Sequence, residues 1–224
     1  PEGTLVDPFN GQDDLMEGLL RTPLTPEESF SDDPLRMLRA ARFIAAYDLT
    51  PDLELITAIH SLVDRFSIVS AERIVGEVDK LLQSQNPEQG LYLLYDTGLL
   101  ELFLPEITPD RFQYLQNFRL DPTIRIAVLL AKIDSDECEN RLRELRYSKE
   151  RTSLIIKMIN GGKEILKDPS SDSDYRRWYC HDDINPSGWP NFHLSGLGYG
   201  GRRVSWNYLV SLYRTTDSPR RHLS

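Results

Sequence analysis

Residues 29–43 read Ser29-Phe30-Ser31-Asp32-Asp33-Pro34-Leu35-Arg36-Met37-Leu38-Arg39-Ala40-Ala41-Arg42-Phe43. This stretch opens a helix with little ambiguity. Asp33 suits the N-cap, where a short carboxylate accepts a backbone N–H that the helix leaves unpaired. Pro34 suits the first helical position, where its missing N–H costs nothing. Leu35, Leu38, Ala41, Phe43 and Ala45 fall on a core side, and the alanines add propensity, so a helix is predicted from Leu35 to about Tyr47. Arg36, Arg39 and Arg42 recur at steps of three and drift slowly round the side opposite Leu35 and Leu38.

Helical patterning continues on both sides. A short extended piece at Thr4–Val6 leads to a turn at residues 7–11, where Asn10-Gly11 is a strong turn signal. A helix is predicted from about Asp13 to Leu20, with Leu15, Met16 and Leu19 as its apolar stripe. Residues 22–33, rich in Pro, Thr, Ser and acid, read as a loop. Further helices are predicted at about 51–66, 70–84 and 87–97, with Gly98 as a stop, and at 109–118, 122–134, 136–146 and 148–166, the last interrupted at Gly161-Gly162. After Asp168 the character changes to Pro, Gly, Ser and Asp clusters holding all three tryptophans, with no clean period. The fold class is therefore all-α, a helical array with a short extended segment at its N-terminus and an irregular C-terminal tail.

The 224 residues are 40% hydrophobic and 27% charged, the composition of a soluble globular chain. No apolar run approaches the roughly 18 residues of a membrane span, and no secretory signal pattern opens the sequence. Two distant cysteines, Cys138 and Cys180, exclude a disulfide framework or a four-thiolate zinc site and point to a reducing, cytoplasmic setting. The first residue is Pro1, so a natural start upstream is expected. The net charge of −9 hides an asymmetry: residues 1–110 hold 7 Lys+Arg against 21 Asp+Glu, and residues 111–224 hold 19 against 14. A basic half can bind a polyanion, or it can be uneven surface charge with no partner.

The acid–arginine pairing at the helix start has definite chemistry. A carboxylate accepts hydrogen bonds and a guanidinium donates them. Side by side, Asp33 and Arg36 would offer an acceptor–donor edge. Cytosine and adenine each present an amino donor beside a ring-nitrogen acceptor, whereas guanine and uracil present the reverse. Such a pair accepts C and A and rejects G and U, at about 1–3 kcal/mol for each mispaired buried group. The residues also permit a plain structural reading, with Asp33 only capping the helix and Asp32–Arg36 an i,i+4 ion pair of about 0.2–0.5 kcal/mol.

The run from Asp32 to Phe43 resembles the nucleotide-recognition motif of class II CCA-adding enzymes (tRNA nucleotidyltransferases) and bacterial poly(A) polymerases. That motif begins with Glu-Asp and an arginine three residues on; Asp32 stands here where Glu is usual. The resemblance implies base reading by Asp33 and Arg36, with Arg39 supporting and Arg42 on the same helix. Residues 5–15, Leu-Val-Asp-Pro-Phe-Asn-Gly-Gln-Asp-Asp-Leu, with Leu20-Arg21, resemble the family's head–neck linking motif and mark Asp7, Gly11, Asp14 and Arg21. Residues 70–82, Ser-Ala-Glu-Arg-Ile-Val-Gly-Glu-Val-Asp-Lys-Leu-Leu, resemble its neck motif and mark Glu72, Arg73 and Glu77 as supports of the reading helix. Thr97–Leu100 and Leu104–Glu106 match a further stretch. The resemblance covers residues 3–107 well and 108–166 loosely. It implies four parts: residues 1–21, the end of a catalytic head and its linker; 22–107, a neck domain; 108–167, a helical RNA-binding body; and 168–224, a tail of uncertain fold.

The family joins nucleotides to an RNA 3′ end with two metal ions held by paired carboxylates after a Gly-Ser turn. The resemblance places that region before Pro1. Asp134-Ser135-Asp136 and Asp172-Ser173-Asp174 follow neither Gly-Ser nor a strand pattern and read as solvated acids. No catalytic or metal-binding residue is therefore expected here, and the fragment is expected not to polymerise alone. Mg2+ is expected with the full-length enzyme, ATP and CTP as substrates, tRNA as partner and no membrane. His181-Asp182 has no companion His-Asp near residues 127–133, and His60, His193 and His222 fit no ligand spacing. The Gly-rich 196–203 run sits outside any strand–helix context. Arg141, Arg143, Arg146, Lys149, Arg151 and Lys157 can face an RNA backbone or form solvated helix faces. The expected function is selection of C and A for the tRNA 3′ end. Poly(A), CC-only or A-only addition, or a non-catalytic helical RNA-binding module, are the alternatives.

Overall fold

A computed structural model describes residues 6–117 and 121–167. Nine α-helices carry these residues: α1 Gly11–Glu17, α2 Pro26–Asp32, α3 Leu35–Tyr47, α4 Leu53–Leu62, α5 Ala71–Leu82, α6 Pro87–Asp96, α7 Pro122–Leu130, α8 Ser135–Glu144 and α9 Lys149–Lys167. Short 3-10 helices lie at Val63–Ile68, Leu100–Leu102 and Pro109–Asn117. Two two-residue strands, β1 Leu19–Leu20 and β2 Thr50–Pro51, pair in parallel, Leu19 against Thr50 and Leu20 against Pro51. The all-α expectation holds. The predicted extended piece at residues 4–6 falls mostly, and the 168–224 tail entirely, outside the described residues.

α3 is the central helix. Leu35, Met37, Leu38, Ala41, Ile44 and Ala45 are buried, and α5 and α6 pack against it. Gly90 makes the α6 contact close: a Cβ there would sit 2.4 Å from the Ala41 carbonyl oxygen. α2 packs on α4, α5 meets α7, and α9 lies against α7 and α8. Buried Arg125 of α7 reaches back to α5, donating to the carbonyls of Leu82 at 2.5 Å and Ser84 at 2.7 Å. It thereby satisfies carbonyls that the helix end leaves open. A bidentate pair joins α5 to α9: Arg151 donates to both oxygens of Asp79, at 2.5 and 2.7 Å.

Several boundaries depart from the sequence reading. The first helix ends at Glu17 because Gly18 turns left-handed, φ 67, so Leu19 leaves the helix for β1. The predicted stripe of that helix is not covered: Leu15 is 64% and Met16 79% exposed. The expected loop at 22–33 contains α2. Its start was legible in Thr25-Pro26-Glu27-Glu28: the Thr25 hydroxyl accepts the Glu28 N–H at 3.3 Å and Pro26 opens the helix. The predicted helix at 51–66 splits into α4 and a 3-10 turn, the helix predicted at 109–118 is a 3-10 helix over Pro109–Asn117, and α9 runs through Gly161-Gly162.

Candidate functional site

One face of α3 builds a wall of a cleft. Arg36, Arg39, Ala40 and Phe43 lie on a single face of the helix, as their spacing requires, and line a cavity of about 410 Å³. Ser29, Phe30 and Leu55 close it from α2 and α4, and Leu20–Leu24 cross its mouth from the β1 side. The β1–β2 pairing and the hydrogen bond from the Thr50 N–H to the Gly18 carbonyl, 2.7 Å, hold that strip in place.

The structure separates the two residues of the expected reading pair by their partners. Both oxygens of Asp33 accept from Arg73 of α5, at 3.0 and 2.9 Å, and Oδ1 also accepts the Leu35 N–H at 3.3 Å. Asp33 thus caps the start of α3, as its position demanded, while bound across the helix pair. It is not among the residues that wall the cleft. Arg36 turns back toward α2: it meets Asp32 at 3.1 Å and donates to the carbonyl and hydroxyl of Ser29 at 3.3 and 3.2 Å. Arg36 and Asp32 are 40% and 72% exposed, so their pair contributes at most about 0.5 kcal/mol and yields readily to another acceptor.

Glu77 is the electrostatic anchor of the site. It is a buried carboxylate, 5% exposed, on the α5 face toward α3. Arg42 lies 2.8 Å, Lys80 3.0 Å and Arg39 3.6 Å from its oxygens. Burial pushes its pKa up, but the Lys80 hydrogen bond and the charges of Arg42, Lys80 and Arg39 outweigh that and hold it below the usual carboxylate range. Arg42 in turn places its guanidinium 4.3 Å from the Phe43 ring centroid. α5 therefore grips the polar face of α3 twice, through Arg73–Asp33 and Glu77–Arg42/Arg39, and fixes the side chains that shape the cleft. Glu72 is exposed in the first turn of α5.

The linking segment is also organised from within. Asp7 accepts the N–H groups of Gly11 and Gln12, each at 2.8 Å, and these bonds, that of Gln12 first, hold its pKa down. Arg21 donates to Asp14 at 2.6 Å and to the Phe9 carbonyl at 3.4 Å, which brings Arg21 to the rim of the cleft. Sequence reasoning did not single out Ser29, Phe30 or the 22–24 strip, and it put Phe43 on the core side, whereas Phe43 is half-buried and lines the cleft. The capping pattern of α2 was the one signal that could have placed Ser29 and Phe30.

Other sequence candidates resolve into structural roles. Asp134 caps α8 by accepting the Asp136 N–H at 2.9 Å; Asp172 lies outside the described residues, as do His181, His193, His222 and residues 196–203. Of the basic residues near the chain's second half, Arg141 pairs with Glu106 and Glu144, Arg143 with Glu139 and Arg151 with Asp79. Among the described residues no group of three or more His, Cys, Asp or Glu side chains could hold a metal ion, so the residues here do not fit a resident Mg2+ site. No helix among them is long and apolar enough to cross a membrane.

Comparison with known proteins identifies relatives of the chain. Residues 48–111 match the family described as "Probable RNA and SrmB- binding site of polymerase A". The chain is 31% identical over 187 residues to a CCA-adding enzyme of Streptococcus gordonii, covering 80% of this chain and 45% of that enzyme. It is 38% identical over 183 residues to a CCA-adding enzyme of Geobacillus sp., covering 79% and 44%. The chain thus spans less than half the length of either relative. A tRNA nucleotidyltransferase solved with a primer tRNA and an incoming ATP analogue shares the fold, with a TM-score of 0.60 and 20% identity over 81% of this chain and 60% of that one. This chain matches a region of the CCA-adding enzyme and poly(A) polymerase family.

Proposed function

We propose that the chain is the nucleotide-selecting and RNA-holding part of a tRNA nucleotidyltransferase that adds C and A from CTP and ATP to the tRNA 3′ end. The observation that carries this reading is the cleft beside α3, with the donors Arg36 and Arg39 on one wall and the rings of Phe30 and Phe43 beside them. Its volume of about 410 Å³ is that of an ordinary small-ligand site. Arg36 donates to the ring nitrogen of C or A. Its solvated pair with Asp32 is weaker than a buried hydrogen bond to a charged donor, about 1.5–3 kcal/mol, so base binding redirects the guanidinium. Asp33 stands outside the cleft wall and holds the start of α3 through Arg73 and the Leu35 N–H, and the amino group of the base meets its Oδ2 at the rim. Arg39 contributes a second positive donor. Metal chemistry would come from a catalytic head joined through the 7–21 segment, and the protein would work in the cytoplasm, where tRNA is.

The test is a titration of the chain with CTP, ATP, GTP and UTP by calorimetry or NMR. CTP and ATP should bind about 5- to 150-fold more tightly than GTP and UTP, which is what 1–3 kcal/mol for a mispaired buried group gives. Arg36→Ala should erase the preference. Equal binding of all four by the unaltered chain contradicts the reading and favours a helical RNA-binding module. The matched family is described for a polymerase A, which keeps poly(A) addition as the second reading. Sequencing the product made from mixed nucleotides separates the two.

A further inference from the structure

We propose that Tyr47 is a stacking platform for an unpaired base of the RNA strand, a few nucleotides back from its 3′ end. This inference rests on the proposed function and adds a contact outside the nucleotide cleft. The stripe that walls the cleft, Arg36–Arg39/Ala40–Phe43, continues by one more turn to Tyr47. Tyr47 is 59% exposed, yet its ring is not loose. It stacks on Phe43 with centroids 5.8 Å apart and planes 25° from parallel. Phe43 carries the Arg42 guanidinium, which the buried Glu77 holds. On the other side of Tyr47 the backbone is pinned. Asp48 turns left-handed, φ 57, and its carboxylate accepts from Gln89 Nε2 of α6 at 2.8 Å. An exposed ring held this way loses little freedom on binding, which distinguishes it from an ordinary exposed aromatic.

The chemistry of the surroundings selects the occupant. A flat exposed ring stacked on Phe43, which itself carries the Arg42 guanidinium, with half-exposed Arg39 two turns back along the same helix, matches a base attached to a phosphate backbone, the pairing by which single-stranded nucleic acid is held without sequence reading. The free nucleotide is not that occupant. Eleven residues of α3 separate Arg36 from Tyr47, roughly 16 Å of helix, too far for one base to meet both. Residues 48–111, which match the RNA-binding family model, begin at the next residue.

The experiment uses the whole chain and a fluorescent single-stranded RNA, intact or with one abasic nucleotide at each of its four 3′-terminal positions. Affinity is read by anisotropy for the unaltered protein, Tyr47→Ala, Tyr47→Leu, Tyr47→Phe and Tyr47→Trp. Tyr47→Ala and Tyr47→Leu should weaken the intact strand about tenfold, with Phe and Trp retaining affinity. One abasic position should produce the same loss and no further loss when combined with Tyr47→Ala. Unchanged affinity in Tyr47→Ala, losses that add at every position, or no binding of the strand by the unaltered protein overturns the proposal. Nucleotide selection is read separately through Arg36→Ala. Selection intact with Tyr47 silent removes this inference alone, and loss of both removes the underlying reading as well.

Discussion

Replacing Glu77 by Gln keeps the shape of the side chain and removes its charge. The carboxylate is 5% exposed and faces Arg42, Lys80 and Arg39 at 2.8, 3.0 and 3.6 Å. Breaking a fully buried pair costs about 3–5 kcal/mol. The partners here are between 21% and 57% exposed, so water screens part of their repulsion and solvates them when the acid is gone. Gln also avoids the cost of burying a charge. About 2 kcal/mol of lost stability is the expected balance, a drop of roughly 4–8 °C in Tm for a chain of this size. The pH dependence is more diagnostic. Glu77 titrates below its ordinary value of 4.5 in the folded state. Its stabilising contribution is therefore complete above that value and is lost as pH falls through the lower folded one. Urea unfolding of both proteins at pH 7 and at pH 3 reads this directly, because the other carboxylates titrate alike in both. The gap should be about 2 kcal/mol at pH 7 and should narrow at pH 3. A gap of equal size at both pH values, or none at pH 7, refutes the view that charge at Glu77 holds α3 to α5.

Other expectations follow from single contacts. Gly90→Ala should cost about 1–3 kcal/mol in urea unfolding, because the new methyl would press on the Ala41 carbonyl and part α6 from α3. Arg125→Met should cost a similar amount by uncovering the Leu82 and Ser84 carbonyls, and the loss should persist at 1 M salt, since the acceptors are neutral carbonyls. Asp33→Asn and Arg73→Ala should each weaken CTP binding, and the double variant should lose less than the sum, as a coupled pair requires.

The helices were legible wherever apolar periodicity and end signals agreed. α3, α5 and α6 start and stop within a residue or two of their predicted bounds, because Pro34, Ser70, Pro87 and Gly98 punctuate them and their buried faces repeat cleanly. α2 was missed since its seven residues are mostly polar and only Pro26, Ser29 and Phe30 are buried; the Thr25 cap and Pro26 were the local cues. β1 and β2 were invisible, as two-residue strands have no period to detect. The site was legible as a set of residues and not as a set of contacts. Asp33, Arg39, Arg73 and Glu77 sit around the α3–α5 face while Arg36 turns toward α2, but spacing pairs Asp33 with the nearest arginine in sequence. Packing gives it Arg73, 40 residues away. Long-range pairing of that kind is set by how helices cross, which no local pattern encodes.

The central claim is that Arg36, on the cleft wall, confers preference for C and A. The most direct measurement joins this chain, with and without Arg36→Ala, to the catalytic head of a related CCA-adding enzyme and sequences the nucleotides added to tRNA from an equal mixture of the four triphosphates. The account predicts C and A from the unaltered chain and a mixed product, formed with the same metal requirement, from Arg36→Ala. Unaltered choice of C and A by the Arg36→Ala chimera would contradict it.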